Sequence, residues 1–156
     1  MKSFISCSTL LAAVYAAAAD YSELGANWLD VACTDGKEQS PIDLTNPTSN
    51  ANVGYMMVDY KDYPTREVLD KKGTLQVNVA DGKLTLSNEN GDMKTAPPAQ
   101  FHFHAPSEHT IDGKHHDLEM HIVHLFDNDP DGKLGAVIGI MFDSTDDVES
   151  EFIKSL

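Results

Sequence analysis

Apolar residues occupy every second position from Leu75 to Val79, and the same pattern returns from Leu84 to Leu86. A period of two is typical of β-strands that bury one face. Asp-Gly and Asn-Gly pairs, which favour the tight turns of β-hairpins, occur at positions 35–36, 81–82, 90–91, 112–113 and 131–132. The central part of the chain is therefore predicted to form strands joined by short turns.

The end of the chain contains one long apolar segment and one short helical pattern. Leu134 to Phe142 is almost continuously apolar, which predicts a strand that is covered on both faces. From Glu149 to Leu156 the spacing of Phe152, Ile153 and Leu156 favours the start of a helix. Because helical periodicity is otherwise scarce, we predict a mainly β fold of the α+β type with few short helices.

The N-terminus has the pattern of a secretory signal peptide. Lys2 supplies a positive charge, Phe4 to Ala18 is apolar and uncharged, and Ala17-Ala18-Ala19 offers a small-residue cleavage site. We expect residues 1–19 to be removed and residues 20–156 to form the secreted or luminal domain.

Composition limits the classes of partner. The 156 residues contain 25 acidic side chains against 11 Lys and Arg, for a formal net charge of −14. This charge argues against nucleic acid and anionic membrane surfaces as partners. No apolar run in the predicted mature domain approaches the roughly 20 residues of a membrane span. Cys33 is the only cysteine left after cleavage, which makes a disulfide-linked dimer through Cys33 possible.

All seven histidines lie between His102 and His124, which indicates a metal site. His102 and His104 are two residues apart and so share one face of a strand. A two-residue turn at Asp112-Gly113 pairs Ile111 with Lys114, and this register predicts His104 opposite His121 with His102 diagonal to it. The three imidazoles are then expected to converge.

Three histidines with one open position are typical of a catalytic zinc site. Gln100 and Glu119 share faces with His102 and His121, and each can hold the second ring nitrogen of its neighbour. The other histidines fit less well. We expect His109 to be structural, His115 and His116 to be solvated, and His124 to face away from the cluster.

A rival interpretation is the first metal motif of cupins, which hold iron or manganese. His102, His104 and Glu108 have its spacing, but Ala96 and His115 stand where the motif expects glycines. Its second motif is also missing, so zinc is the better prediction.

Several motifs together resemble the α-class carbonic anhydrase family. They are Gln39-Ser-Pro-Ile-Asp43, Gln100-Phe-His-Phe-His104, Ser107-Glu-His-Thr110 and Glu119-Met-His-Ile-Val-His124. The resemblance implies a large, twisted, mostly antiparallel sheet. It also implies reversible hydration of CO₂ to bicarbonate and a proton, a lyase reaction of one-carbon metabolism.

The resemblance also implies residue roles. His102, His104 and His121 match the zinc ligands, and Gln100 and Glu119 match the residues that orient them. Glu108 matches the acid that positions a catalytic threonine. Gln76, Val123 and Val137 match residues that line the substrate pocket.

Two departures from the family affect this prediction. Gly73 stands where the family carries its proton-shuttle histidine. The chain also ends before the family's C-terminal portion, which holds the catalytic threonine and the usual partner of Cys33. We therefore expect a partial domain over residues 20–156, with a non-catalytic zinc-binding or interaction module as the alternative function.

Overall fold

The computed structural model describes residues 40–46, 54–61, 67–71, 74–79, 81–88, 90–126, 134–145 and 149–156. Within these ranges the chain forms strands and one short helix, whose bounds are β1 Asp43–Leu44, β2 Met56–Tyr60, β3 Val68–Asp70, β4 Leu75–Asn78, β5 Gly82–Ser87, β6 Met93–Ala96, β7 Pro98–His104, β8 Thr110–Ile111, β9 Lys114–His115, β10 Leu118–Leu125, β11 Leu134–Phe142 and α1 Glu151–Lys154. The proposed signal peptide, Cys33 and Gly73 lie outside the described residues.

The strands form three sheets, of which the largest carries the histidines. Its order is β11-β10-β7-β4-β3, and every pair in it is antiparallel. The strands β2-β5-β6 form a second antiparallel sheet. A small third sheet, β1-β8-β9, contains one parallel pair, β1 with β8. The predicted fold class, mainly β and mostly antiparallel, is confirmed.

The hairpin signals have different outcomes. Asp112 and Gly113 have φ values of 49° and 74°, and they join β8 to β9 with Ile111 opposite Lys114, as predicted. Positive φ at both central residues is what a type I′ turn requires. Asp81-Gly82 does not form a hairpin between its flanking strands, because β4 and β5 belong to different sheets.

The prediction that Leu134–Phe142 is covered on both faces is wrong for the described residues. The segment does form a strand, β11, but it is the edge strand of the five-stranded sheet. Val137 and Ile140, on opposite faces, are 42% and 38% exposed. An apolar run distinguishes a strand from a turn, but it does not show which neighbours cover that strand.

The face of the large sheet opposite the histidines is anchored by apolar packing. Phe103 and Met120 lie opposite one another on β7 and β10, and both are buried. Phe152 of α1 lies with its ring centroid 6.0 Å from that of Phe101. Ser150 caps α1, since its side chain accepts a hydrogen bond from the backbone N–H of Ile153. No helix within the described ranges is long and apolar enough to cross a membrane.

Candidate metal centre

The histidines and their neighbours form a grid on one face of the large sheet. Because residues that pair across antiparallel strands share a face, the register gives three rows over β4, β7, β10 and β11. These rows are Asn78-Gln100-Val123-Val137, Gln76-His102-His121-Gly139 and, without a member on β4, His104-Glu119-Met141. All the residues predicted to line the site, except Glu108, therefore lie in one patch of sheet surface.

The predicted register between β7 and β10 is wrong by two residues. His121 lies opposite His102, and His104 lies opposite Glu119. Because side chains alternate with a period of two, a shift of two residues exchanges partners without changing faces. The predicted convergence of the three imidazoles therefore survives the error.

The shift arises in the loop 105–109, which interrupts the hairpin ladder. Pro106 has no N–H to donate to a ladder. Ser107, only 2% exposed, instead ties the loop to the return strand. Its N–H donates to the carbonyl of His116 at 2.9 Å, and its Oγ accepts from the His116 N–H at 2.8 Å.

The three imidazoles lie close enough to share one metal ion. The ring centroid of His104 is 4.8 Å from those of His102 and His121, and His102 and His121 are 5.4 Å apart. Each ring offers one nitrogen, and these nitrogens all lie within 4.8 Å of one another. The donor set is thus three imidazole nitrogens from two neighbouring strands.

Gln100 fixes the orientation of His102. Nδ1 of His102 donates to Oε1 of Gln100 at 2.9 Å, which leaves Nε2 with its lone pair for a metal. Burial, together with the neighbouring imidazoles of His104 and His121, lowers the pKa of His102 to about 4. His102 is therefore neutral at physiological pH, the state in which imidazole binds metal.

Glu119 likewise fixes the orientation of the His121 ring. The carboxylate is 1% exposed, and its Oε1 accepts a hydrogen bond from Nε2 of His121 at 2.8 Å. Its Oε2 accepts from the backbone N–H groups of Glu108 and His109 at 2.8 and 2.9 Å. Burial alone would raise the pKa of Glu119, but these hydrogen bonds outweigh it and hold the pKa below its ordinary value.

His109 has a contact that the sequence analysis missed. Its Nδ1 donates to Oε1 of Glu119 at 2.7 Å, so one carboxylate oxygen holds two imidazoles. His109, Glu119 and His121 also satisfy the distances of a metal site. These atoms already form hydrogen bonds with one another. We therefore infer that His109 and Glu119 orient His121 and do not form a second metal site.

Glu108 extends from the loop toward the imidazoles. Its Oε1 lies 3.4 Å from Nδ1 of His104, and its Oε2 lies 3.7 Å from Nδ1 of His121. Glu108, the predicted catalytic acid, thus lies beside two of the predicted metal ligands, His104 and His121. In the family, such an acid positions a threonine. The resemblance matches no residue of this chain to that threonine.

The predicted pocket residues lie beside the histidines. Gln76 is paired with His102, and its Nε2 donates to Oδ1 of Asn78 at 2.8 Å. Val123 lies opposite Val137. Val137 lines an open cavity of about 490 Å³ whose wall also includes Glu119 and His121, while Val123 is not part of that wall.

The remaining histidines do not join the cluster. His115 and His116 are not simply solvated: Nδ1 of His115, which is exposed beside the turn, donates to the carbonyl of Ser107 at 2.6 Å, and Nδ1 of His116 contacts Oδ1 of Asp143 at 2.8 Å. His124 faces away from the cluster, as predicted, and is fully buried with its Nε2 2.8 Å from the hydroxyl of Tyr60.

Comparisons with known proteins support the same family. Residues 24–156 match the family described as eukaryotic-type carbonic anhydrase. The carbonic anhydrase of Pectobacterium carotovorum is 40% identical over 111 residues, which are 70% of this chain and 41% of that relative. The chain therefore spans less than half of that relative's length.

Solved structures show the shared fold. The Photobacterium profundum alpha-carbonic anhydrase is 38% identical with a TM-score of 0.58, and the match covers 72% of this chain and 47% of that one. A Chlamydomonas reinhardtii carbonic anhydrase solved in complex with acetazolamide is 32% identical with a TM-score of 0.60, covering 80% of this chain and 52% of that one. The sequence match and the fold together show that this chain belongs to the eukaryotic-type, or α-class, carbonic anhydrase family.

Proposed function

We propose that His102, His104 and His121 bind zinc, and that the protein carrying this site catalyses the reversible hydration of CO₂ to bicarbonate and a proton. The observation that carries the proposal is the convergence of three imidazoles, two of which have their outer nitrogens held by Gln100 and Glu119. We also propose that residues 1–19 direct the protein to a secreted or luminal compartment.

The residues present fit zinc. Zinc in catalytic sites takes three protein ligands, often imidazoles, and keeps a further position for water or substrate. The hydrogen bonds to Gln100 and Glu119 leave Nε2 of His102 and Nδ1 of His121 as the ligating atoms. A cupin-type iron or manganese site would add Glu108 to the imidazoles as a ligand, whereas membership of the carbonic anhydrase family favours zinc on the three imidazoles alone.

The chemistry follows from the environment of each residue. When bound, zinc supplies a Lewis acid that makes hydroxide available from water near neutral pH. Gln100 and Glu119 keep His102 and His121 in the required tautomers and strengthen them as ligands. Glu108 lies where its carboxylate can accept a hydrogen bond beside the ligands. Val137 in the cavity wall, with Val123 as its cross-strand partner, offers an apolar surface to CO₂, which lacks hydrogen-bond donors.

The test combines metal analysis with CO₂ hydration measured by stopped flow. We expect one zinc per chain, and we expect His121→Ala to lower zinc affinity by orders of magnitude. His116→Ala, which removes a ring whose contact is with the exposed Asp143 outside the cluster, is the matched control and should bind zinc like the parent. Zinc binding without turnover would favour the non-catalytic zinc-binding module, and a preference for iron or manganese would overturn the zinc site itself.

A further inference from the structure

Gly139 occupies a position in β11 where a side chain would point into the candidate metal centre. It lies opposite His121 in the register, and its neighbours on the same face are Val137 and Met141. Glycine in the interior of a strand weakens the strand and often marks the close approach of another group. At Gly139 the approaching group can be identified.

A Cβ at position 139 would lie 2.9 Å from Oε1 of Glu119 and 3.8 Å from Cδ2 of His121. A Cβ–oxygen distance of 2.9 Å requires one of the two groups to move. Oε1 is also the atom that accepts hydrogen bonds from Nε2 of His121 and Nδ1 of His109. The space left by the missing side chain is therefore the space that this oxygen needs.

The carboxylate has little freedom to retreat. Its other oxygen, Oε2, is held by the backbone N–H groups of Glu108 and His109, so a rotation that moved Oε1 away from β11 would break these bonds as well. Glu119 is only 1% exposed, so breaking these hydrogen bonds would leave buried polar groups unpaired at a considerable cost in free energy. The backbone itself does not require glycine, since Gly139 is not among the described glycines with positive φ.

We propose that Gly139 is a positioning residue for the metal centre. By leaving room for Oε1 of Glu119, it keeps Nε2 of His121 hydrogen-bonded and so directs Nδ1 of His121 toward His102 and His104. The part of this inference that concerns metal rests on the proposed zinc site, whereas the part that concerns the hydrogen bond between Glu119 and His121 stands without it.

The experiment introduces Gly139→Ala into the full-length protein. Zinc affinity is measured by competition with a chromophoric chelator, and the His121 ring N–H is followed by NMR in metal-free protein with ¹⁵N-labelled histidine. We expect a loss of zinc affinity of about 10- to 100-fold, the range for removing the partner of a ligating histidine, and a shift or loss of the ring N–H signal. Ile140→Val is the matched control, because it alters one methyl on the opposite face of the same strand and should change neither readout.

A double-mutant cycle separates positioning from general damage to the strand. In a Glu119→Ala background the carboxylate is gone, so adding Gly139→Ala should cost no further zinc affinity. If Gly139→Ala alone fails to fold, the double variant should fold as well as Glu119→Ala. Additive losses, a double variant that fails to fold, or an unchanged ring N–H signal in Gly139→Ala would each overturn the proposal. Failure of the parent to bind zinc would instead overturn the proposed zinc site, and the NMR comparison would still test the role of Gly139.

Discussion

Glu119 and His121 stand two residues apart on the same face of β10, and the buried carboxylate accepts a hydrogen bond from the ring at 2.8 Å. The same carboxylate also accepts from the ring of His109 and from two backbone N–H groups of the loop 105–109. One acidic side chain thus connects the loop to a predicted ligand. The orientation of His121 depends on the loop as well as on its own strand.

The first prediction concerns the charge of Glu119. Glu119→Gln keeps the shape of the side chain but places an NH₂ group where one carboxylate oxygen now accepts two hydrogen bonds. We expect zinc affinity to fall about 10- to 100-fold, because losing the hydrogen-bond partner of a ligating histidine has an effect of this size. Equilibrium dialysis against a zinc buffer measures the change. Glu149→Gln, at an exposed carboxylate outside the site, is the control, and equal affinities for all three proteins would contradict the assignment.

The second prediction concerns the apolar wall. Val137 is 42% exposed and lines the cavity beside His121, so Val137→Phe should fit without disturbing the core. In a protein with turnover, we expect a lower kcat/KM for CO₂ because the larger ring fills the space beside the ligands. Zinc affinity should be unchanged, since Val137 offers no metal ligand and lies one row away from His121 in the sheet. Ile138→Phe places the same ring on the opposite face; if it lowered kcat/KM as much, CO₂ would not be held at Val137.

Part of this site could be predicted because it depends only on the period of two in β-strands. The positions of Gln100, His102 and His104 on one strand, and of Glu119 and His121 on the next, fix which side chains share a face. That face survives any even shift in register, which is why the imidazoles converge although the predicted partner of His121 was wrong.

Other features depend on contacts that periodicity does not specify. The loop 105–109 takes its path from the hydrogen bonds of Ser107, and this path brings His109 to Glu119. In the sequence, His109 was one histidine among several near a turn. Gly139 likewise was only one residue of an apolar strand in the sequence. Its role depends on the carboxylate of Glu119 beside it, and that contact can be identified only in the structure.

The third prediction concerns the stability of the metal-free protein in mild acid. Burial lowers the pKa of His102 to about 4, and burial also lowers the pKa of His104 and of His124. In the unfolded chain these imidazoles titrate near 6.5 and take up protons that the folded state excludes. The free energy of unfolding should therefore fall as the pH drops below about 6.5, by up to about 1.4 kcal/mol per pH unit for each imidazole.

Urea denaturation at pH values between 7 and 5 measures this effect above the range in which carboxylates titrate. His124→Gln removes one of the three imidazoles on the face away from the site and should make the slope shallower. Free energies of unfolding that do not change over this interval would show that the buried imidazoles take up protons without unfolding the chain.

The fourth prediction concerns the export of the proton that CO₂ hydration releases. Gly73, which stands where the family carries its shuttle histidine, cannot bind a proton. Turnover of a catalytically competent protein with Gly73 should therefore be limited by proton removal in dilute buffer. It should rise with added imidazole, which titrates near neutrality and can carry the proton instead.

Gly73→His should make turnover less dependent on imidazole, whereas Gly73→Ala should keep that dependence, because alanine changes the backbone freedom without adding a proton carrier. Both curves are measured by stopped flow against imidazole concentration. The described acid nearest to residue 73 along the chain is Asp70, at the end of β3 and opposite Leu75. If Asp70 already relays the proton, imidazole will have little effect on the parent, and Asp70→Asn will then create the dependence that Gly73 was expected to cause. That result would assign proton transfer to Asp70 of β3 and would show that the residue at position 73 does not limit it.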